Sequence, residues 1–350
     1  VKRLNVGIIG QGRSGFDIHA HLLKNMPGRF KIAAVCEPDA ARLDYVRNIL
    51  ECDGYMDYHE MLQRQDLDIV VNASPSHLHV PVSLEVLEAG HNLLCEKPLA
   101  RYVADVDKLI AKSRETGKLF AIYQQSRFAP YFEQVRKVID SGVLGRIIMV
   151  KIAFNGFSRR WDWQTLSEFN GGNLLNAGPH PLDQALQLFG PDTMPEVFCL
   201  MDRVNTLGDA EDHVKLILHG NDRPTVDLEI SSCCTYPLYT YQVYGANGGL
   251  TGNMEHMEWK YFKPEEAPQQ ELHRDPLPGR KYCGESLKWY SKKWHVPESK
   301  SQLYDTMGAA FYRNLYDALT KGAPLAVTPA HVRQQVAVIE ECYRQDMAGC

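Results

Sequence analysis

The chain has 350 residues, 44% of them hydrophobic and 23% charged, with a formal net charge of −5. That length exceeds a typical single core and predicts about two domains of ~100–200 residues each. The mild acidity gives no electrostatic case for nucleic acid or an anionic membrane as partner, and no apolar run approaches the ~20 residues that span a bilayer.

The nine cysteines form no CxxC pair, and the adjacent Cys233 and Cys234 would point to opposite faces of a strand. We therefore expect no disulfide framework, no metal site and a reducing, cytoplasmic setting. Val1-Lys2-Arg3 leads straight into a strand-like segment rather than into an apolar leader.

In chain order, Leu4 to Ile9 reads as a strand, Arg13 to Lys24 as a helix, Lys31 to Cys36 as a strand and Asp39 to Leu50 as a helix. Asp68 to Ala73 is a third strand with an unbroken apolar centre, as suits a parallel sheet covered on both faces. A helix at His79–Ala89, a strand at Asn92–Cys95, a helix at Val103–Thr116 and a strand at Leu119–Tyr123 follow. This alternation predicts right-handed crossovers and a doubly wound α/β domain over 1–123.

The pattern changes over 124–350. A helix at Pro130–Ser141 precedes a long strand, Ile147–Phe154, and a buried helix runs near Pro181–Phe189 from a start at Pro179 or Pro181. From Glu196 to Phe262 strands succeed one another without crossover helices, among them Val214–Leu218, Val226–Ile230 and Tyr239–Tyr244. They predict an α+β domain with a large, mostly antiparallel open sheet. Pro264 to Ser301, proline-bearing and mixed in charge, reads as a long loop or insertion, and the basic segment Lys288–His295 within it as exposed loop rather than a nucleic-acid patch. Helices at about Gln302–Lys321 and Pro329–Met347 close the chain.

Gly10-Gln11-Gly12-Arg13-Ser14-Gly15 fits G-x-G-x-x-G, and its context gives the pattern meaning, because it follows a strand and opens a helix. Gly10 permits a tight turn, Gly12 lets backbone approach a pyrophosphate, and Gly15 lets helix and strand pack. The acidic partner belongs at the end of the second strand, where Glu37 stands, to bind the adenosine ribose hydroxyls and disfavour a 2′-phosphate. Strand, glycines, helix and acid together read as a Rossmann dinucleotide site for NAD. Arg42 nearby leaves NADP open.

Two further segments carry chemistry. Glu96-Lys97-Pro98 ends the fourth predicted strand, on the edge of the sheet where ligands bind, so Lys97 is directed to the cofactor crevice. Taken alone, it also reads as a solvated surface lysine. In Gly171–Asp183 (GGNLLNAGPHPLD), His180 falls at a helix N-terminus, where the dipole disfavours imidazolium. The segment by itself equally allows a core or capping histidine.

Together these elements resemble the Gfo/Idh/MocA oxidoreductases along essentially the whole chain. The resemblance rests on GIIGQGRSG, on Asn72–His79 (NASPSHLH), Cys95–Leu99 (CEKPL), Ser126–Pro130 (SRFAP), Gly171–Asp183, the closing FYRNLYDAL and the helix after Thr328. It implies that Lys97 and His180 are catalytic. It implies cofactor contacts from Gly10, Gln11, Gly12, Arg13, Ser14, Gly15, Glu37, Ser74, Pro75, His79, Glu96, Lys97 and Gln125. It also implies a cis Lys97-Pro98 bond, a last helix packed on the Rossmann domain, and a homodimer or homotetramer assembled through the C-terminal sheet. The chain departs from the family's pattern at Asn176, where aspartate is common, and at Gln125, where asparagine is. Asn176 can bind a substrate hydroxyl but brings no charge to tune Lys97.

The expected reaction is hydride transfer between nicotinamide and a carbinol carbon of a sugar, glycoside or cyclic polyol, with Lys97 and His180 handling the hydroxyl proton. The aromatic and hydrogen-bonding segment Phe157–Gln164 offers Arg160 and Trp163 as substrate contacts beside Asn176. Arginine there also fits a carboxylated or phosphorylated substrate. The competing readings are a NAD-dependent glycosidase or epimerase-like enzyme that returns the hydride, and a non-enzymatic dinucleotide-sensing regulator. Retention of both Lys97 and His180 argues against the regulator.

Overall fold

The computed structural model describes residues 2–277 and 282–348. The first sheet has six parallel strands, β1 (Leu4–Ile9), β2 (Phe30–Cys36), β3 (Asp53–Tyr55), β4 (Ile69–Asn72), β5 (Asn92–Cys95) and β6 (Phe120–Ile122). Their order is β3-β2-β1-β4-β5-β6. The direction of winding reverses between β1 and β4, and that switch point is where an open α/β sheet binds its ligand. All four residues of β4 are buried, which explains its unbroken apolar run.

The helix after β1, α1, runs over Arg13–Ala20 with wide turns and continues through His21–Lys24. α2 (Ala40–Leu50) starts at Asp39, whose carboxylate accepts the Arg42 N–H at 2.8 Å and so caps it. The short β3 and α3 (Tyr58–Leu62) had no counterpart in the sequence reading. Three and five residues are too few to display a period, and β3 pairs only as an edge strand on β2. α4 (His79–Glu88) and α5 (Val103–Thr116) complete the helical layers.

α6 (Pro130–Asp140) leads into β7 (Ile147–Asn155), the four-residue turn α7 (Asn173–Asn176) and α8 (Pro179–Phe189). The strands β8 (Glu196–Asp202), β9 (His213–His219), β10 (Thr225–Ser231), β11 (Tyr241–Gly245), β12 (Gly248–Gly252), β13 (His256–Tyr261) and β14 (Tyr290–His295) follow. With β7 they form an eight-stranded sheet in the order β14-β13-β12-β11-β7-β10-β9-β8, antiparallel except where β7 and β10 pair in parallel. Alternate residues such as Val226, Leu228 and Ile230 are buried, in a core shared with α6 and α8.

β14 corrects the reading of 264–301 as loop throughout. Its sequence, YSKKWH, lacks an apolar alternation because it is an edge strand exposed along most of its length. Pairing with β13 and the stacking of Tyr261 on Tyr290, centroids 5.6 Å apart, supply what pattern does not. Residues 278–281, part of the same expectation, lie outside the described residues.

The two closing helices join the layers. α9 (Leu303–Lys321) places Phe311, Tyr312, Leu315 and Tyr316 in a core with β1 and β2. α10 (Pro329–Ala348) places Val332 and Val336 against the first domain, and Val338, Ile339 and Cys342 in the core of the second.

Candidate active site

The glycine loop lies at the carboxyl end of β1. Gly10 has φ 84°, and a Cβ there would stand 2.5 Å from the Ala73 carbonyl oxygen. A Cβ on Gly15 would stand 1.8 Å from the Gly10 carbonyl, so these two glycines are demanded by the chain's own packing. Gly12 is different, because a Cβ on it would meet nothing within 4 Å. That open approach, at the start of a helix whose first N–H groups lack partners, is the cradle a pyrophosphate requires.

Glu37, buried at the exit of β2, accepts the Gln11 N–H at 2.9 Å. Its other oxygen accepts the Asp39 N–H at 3.2 Å and the Arg42 guanidinium at 3.0 Å. The acid therefore stands beside the glycine loop with an arginine already paired to it. Across the crevice, the Asn72 side chain accepts from both the N–H and the hydroxyl of Ser74, holding the Ser74-Pro75 turn. The ring nitrogens of His79 lie 2.6 Å from the Pro98 carbonyl and 2.9 Å from the Ser74 carbonyl. Both are occupied by backbone, so His79 joins two loops of the crevice rather than offering a free nitrogen to a ligand. The side-chain oxygen of Gln125 is buried without a partner. An orphaned amide there and the open face of Gly12 both fit a dinucleotide laid along the sheet edge.

Lys97 stands two residues past the end of β5, its peptide bond to Pro98 is cis, and its ammonium donates to the Asn176 carbonyl at 3.0 Å. Burial lowers its pKa, Glu96 opposes that, and the charges of Arg13 and Arg160 add to the lowering. His180, in the first turn of α8, has its Nδ1 buried without a partner. Burial first, and then the charge of Lys97, pushes its pKa down to about 3. The ring is therefore neutral, as the sequence predicts, with burial rather than the helix dipole as the main cause.

Sequence reasoning gave Glu96 to the cofactor and missed its place beside Lys97 and the buried partners behind it. The Glu96 carboxylate accepts the Lys97 N–H at 2.9 Å, and its other oxygen lies 3.1 Å from Nε2 of His19. Nδ1 of His19 lies 2.7 Å from the Tyr312 hydroxyl, so a buried chain runs from α9 through α1 to the lysine. Burial works to raise the Glu96 pKa, but the His19 contact and the charges of His19 and Lys97 outweigh it and hold the carboxyl well below its usual range. His19 did leave a signal, one helical turn after Gly15 and hence on the same face. Tyr312, 293 positions from its partner, left none.

Arg160 and Asn176 come together in a small polar cavity that Gln164, Asn173 and Glu211 also line. Arg160 donates to Asp162 and Gln164, both at 2.5 Å. Trp163 is 40% exposed and forms no part of that lining.

The sequence matches two models of one family. Residues 4–124 match that of an oxidoreductase family with an NAD-binding Rossmann fold, and residues 132–251 match the C-terminal domain of the same family. The chain belongs to the Gfo/Idh/MocA family. As a member it is an NAD-dependent oxidoreductase, and its relatives span more than one chemistry. An uncharacterized oxidoreductase of Schizosaccharomyces pombe is 24% identical across 99% of this chain and 97% of its own. The 2,7-anhydro-N-acetylneuraminate hydratase of Mediterraneibacter gnavus is 26% identical over 73% of this chain and 68% of its own. The WlbA dehydrogenase of Bordetella pertussis, solved with NADH and UDP-GlcNAcA, shares the fold with a TM-score of 0.80 at 20% identity, covering 100% of this chain and 97% of that one. Among the described residues, no helix of this Gfo/Idh/MocA protein is long and apolar enough to cross a membrane.

Proposed function

We propose that this protein transfers a hydride between NAD and a carbinol carbon of a sugar, glycoside or cyclic polyol, with Lys97 and His180 as its catalytic residues. The observation that carries the reading is that Lys97 is tied to the Asn176 carbonyl, four residues before His180, whose ring feels the lysine's charge and whose Nδ1 has no partner. Gly10 to Gly15, Glu37, the Ser74-Pro75 turn and Gln125 would hold the dinucleotide, which when bound supplies the hydride acceptor or donor.

His180 takes the hydroxyl proton of the substrate. A ring of such low proton affinity is a poor base alone, and it accepts the proton as negative charge develops on the substrate oxygen beside it. Lys97 donates a hydrogen bond to that same oxygen and stabilises the charge. Arg160 and Asn176 bind further hydroxyls, and the exposed Trp163 offers a flat surface for a sugar's C–H face. The outward apolar side chains of β8, Phe198 at 55% and Leu200 at 58% exposure, support assembly of copies through the second sheet.

One observation favours a second reading, in which the hydride is returned within the cycle. A relative bears the name of a hydratase, and hydration involves no net oxidation. A screen of sugars and cyclic polyols with NAD, following NADH fluorescence together with product analysis, separates the two. Net NADH formation supports oxidation, product without NADH supports the returned hydride, and turnover undiminished in Lys97→Ala overturns both.

A further inference from the structure

Glu211 precedes β9 and is used by nothing in the reaction described above. One of its carboxylate oxygens accepts the Leu174 N–H at 2.9 Å, within α7. A Cβ on Gly172, whose φ is 100°, would meet both carboxylate oxygens at 2.4 Å, so the glycine before α7 leaves room for this side chain. The Asn173 N–H donates to the Glu211 carbonyl at 2.9 Å, and the Asn176 N–H closes the turn on the Gly172 carbonyl at 2.8 Å. The far end of this turn is the Asn176 carbonyl that receives the Lys97 ammonium. On its other side Glu211 faces the Tyr343 hydroxyl of α10, at 3.3 and 3.4 Å. The Arg101 guanidinium sits 4.1 Å over the Tyr343 ring.

We propose that Glu211 is a positioning residue for the reaction at Lys97, acting through the Gly172–Asn176 turn, and that its ionised form sets the productive turn. This rests on the reading of Lys97 as catalytic. The carboxylate is a stronger acceptor for the Leu174 N–H than the neutral acid, so ionisation tightens the turn that presents the Asn176 carbonyl.

The charged and titratable groups around Glu211 come from each element packed on it. Arg101 and Tyr343 favour its ionised form, and Arg160 lines the same cavity. Asp212, the next residue, turns to the backbone N–H groups of Val204, Asn205 and Thr206. The turn α7 itself carries no titratable side chain. Burial outweighs the favourable contacts and raises the Glu211 pKa to about 7. His180 titrates far below that, and burial lowers the Lys97 pKa from its ordinary value. Loss of a neutral-pH transition in turnover on removal of the Glu211 carboxyl therefore assigns that transition to Glu211.

The test is the pH profile of kcat in wild type and Glu211→Gln, with the carboxyl itself followed by infrared difference spectroscopy. We expect wild-type kcat to rise as pH increases through about 7. Glu211→Gln, which keeps an acceptor oxygen but cannot ionise, should hold kcat at the acid-side level, ~10-fold down and short of the ~100-fold that a 1 Å misplacement costs. KM for NAD should not change. The protonated-carboxyl band of the wild type should titrate near the same pH and be absent from the variant. Tyr343→Phe, which removes a donor to the carboxylate, should move both transitions to higher pH and serves in place of Glu211→Gln if that variant does not fold. A neutral transition that survives in Glu211→Gln, or a carboxyl band that does not titrate there, overturns the proposal. A Lys97→Ala enzyme with full turnover instead overturns the reading beneath it.

Discussion

Lys97 donates a 3.0 Å hydrogen bond to the backbone carbonyl of Asn176, 79 positions away and in the other domain. One end of the pair follows the Rossmann strand β5 and the other ends the turn that precedes His180. The bond uses the main chain of Asn176, so the amide side chain remains to meet a substrate. Glu96 works to raise the Lys97 pKa, against burial and the charges of Arg13 and Arg160.

Removing either proposed catalytic group should abolish most turnover. Lys97→Ala and His180→Ala are expected to lower kcat by ~10²–10⁴-fold. NAD affinity of the folded protein, read by fluorescence titration, should be largely unchanged. Near-wild-type kcat in either variant would exclude that residue from the reaction.

The glycines of the loop should separate into two kinds. Gly15→Ala forces a Cβ to within 1.8 Å of the Gly10 carbonyl and is expected to compromise folding, seen as a lower melting temperature. Gly12→Ala meets nothing within 4 Å and should fold normally while binding NAD much more weakly. If Gly12→Ala binds NAD as wild type does, the pyrophosphate does not lie on this loop.

Cofactor choice should turn on Glu37. The wild type is expected to bind NAD more tightly than NADP, because a buried carboxylate at the ribose repels a 2′-phosphate. Glu37→Ser removes that repulsion and frees Arg42 from its 3.0 Å pairing, so it should shift the preference toward NADP by roughly 10-fold or more. Parallel titrations with both dinucleotides read this directly, and tighter NADP binding by the wild type would contradict it.

Arg160 and Trp163 should not behave alike. Arg160 lines the polar cavity with Asn176, so Arg160→Ala should raise substrate KM about 10-fold, the loss of one charge-assisted hydrogen bond. Trp163 stands outside that lining and Trp163→Ala should cost less. Unchanged binding in both folded variants would make the segment structural.

A buried ion pair of the second domain predicts a stability effect. Arg127 donates to Asp183 through Nε at 2.7 Å and Nη2 at 2.5 Å, both residues are buried, and Nη1 reaches the Ala326 carbonyl at 3.1 Å. Asp183→Ala leaves a buried guanidinium without its counter-charge and should cost about 3–5 kcal/mol in denaturant unfolding. A loss well under 1 kcal/mol would mean that water reaches the site.

Local pattern determined the first domain and the nature of the second sheet. Parallel strands covered on both faces write long apolar runs, and β5 and α5 match the sequence reading residue for residue. Gly10, Gly12, Gly15 and Glu37 were legible because the turn, the phosphate approach and the acid belong to one βαβ unit, where sequence spacing is spatial spacing. Lys97 and His180 were legible as motifs, and the resemblance carries the role proposed for them. Only the tertiary structure decided that β14 is a strand, since its pairing partner rather than its own pattern makes it one. The same holds for His19, Tyr312 and Glu211. A buried polar group is specified by the partner that satisfies it, and here those partners lie on α9, just past β5 and on α7, tens to hundreds of residues away, where no periodicity in the chain can point.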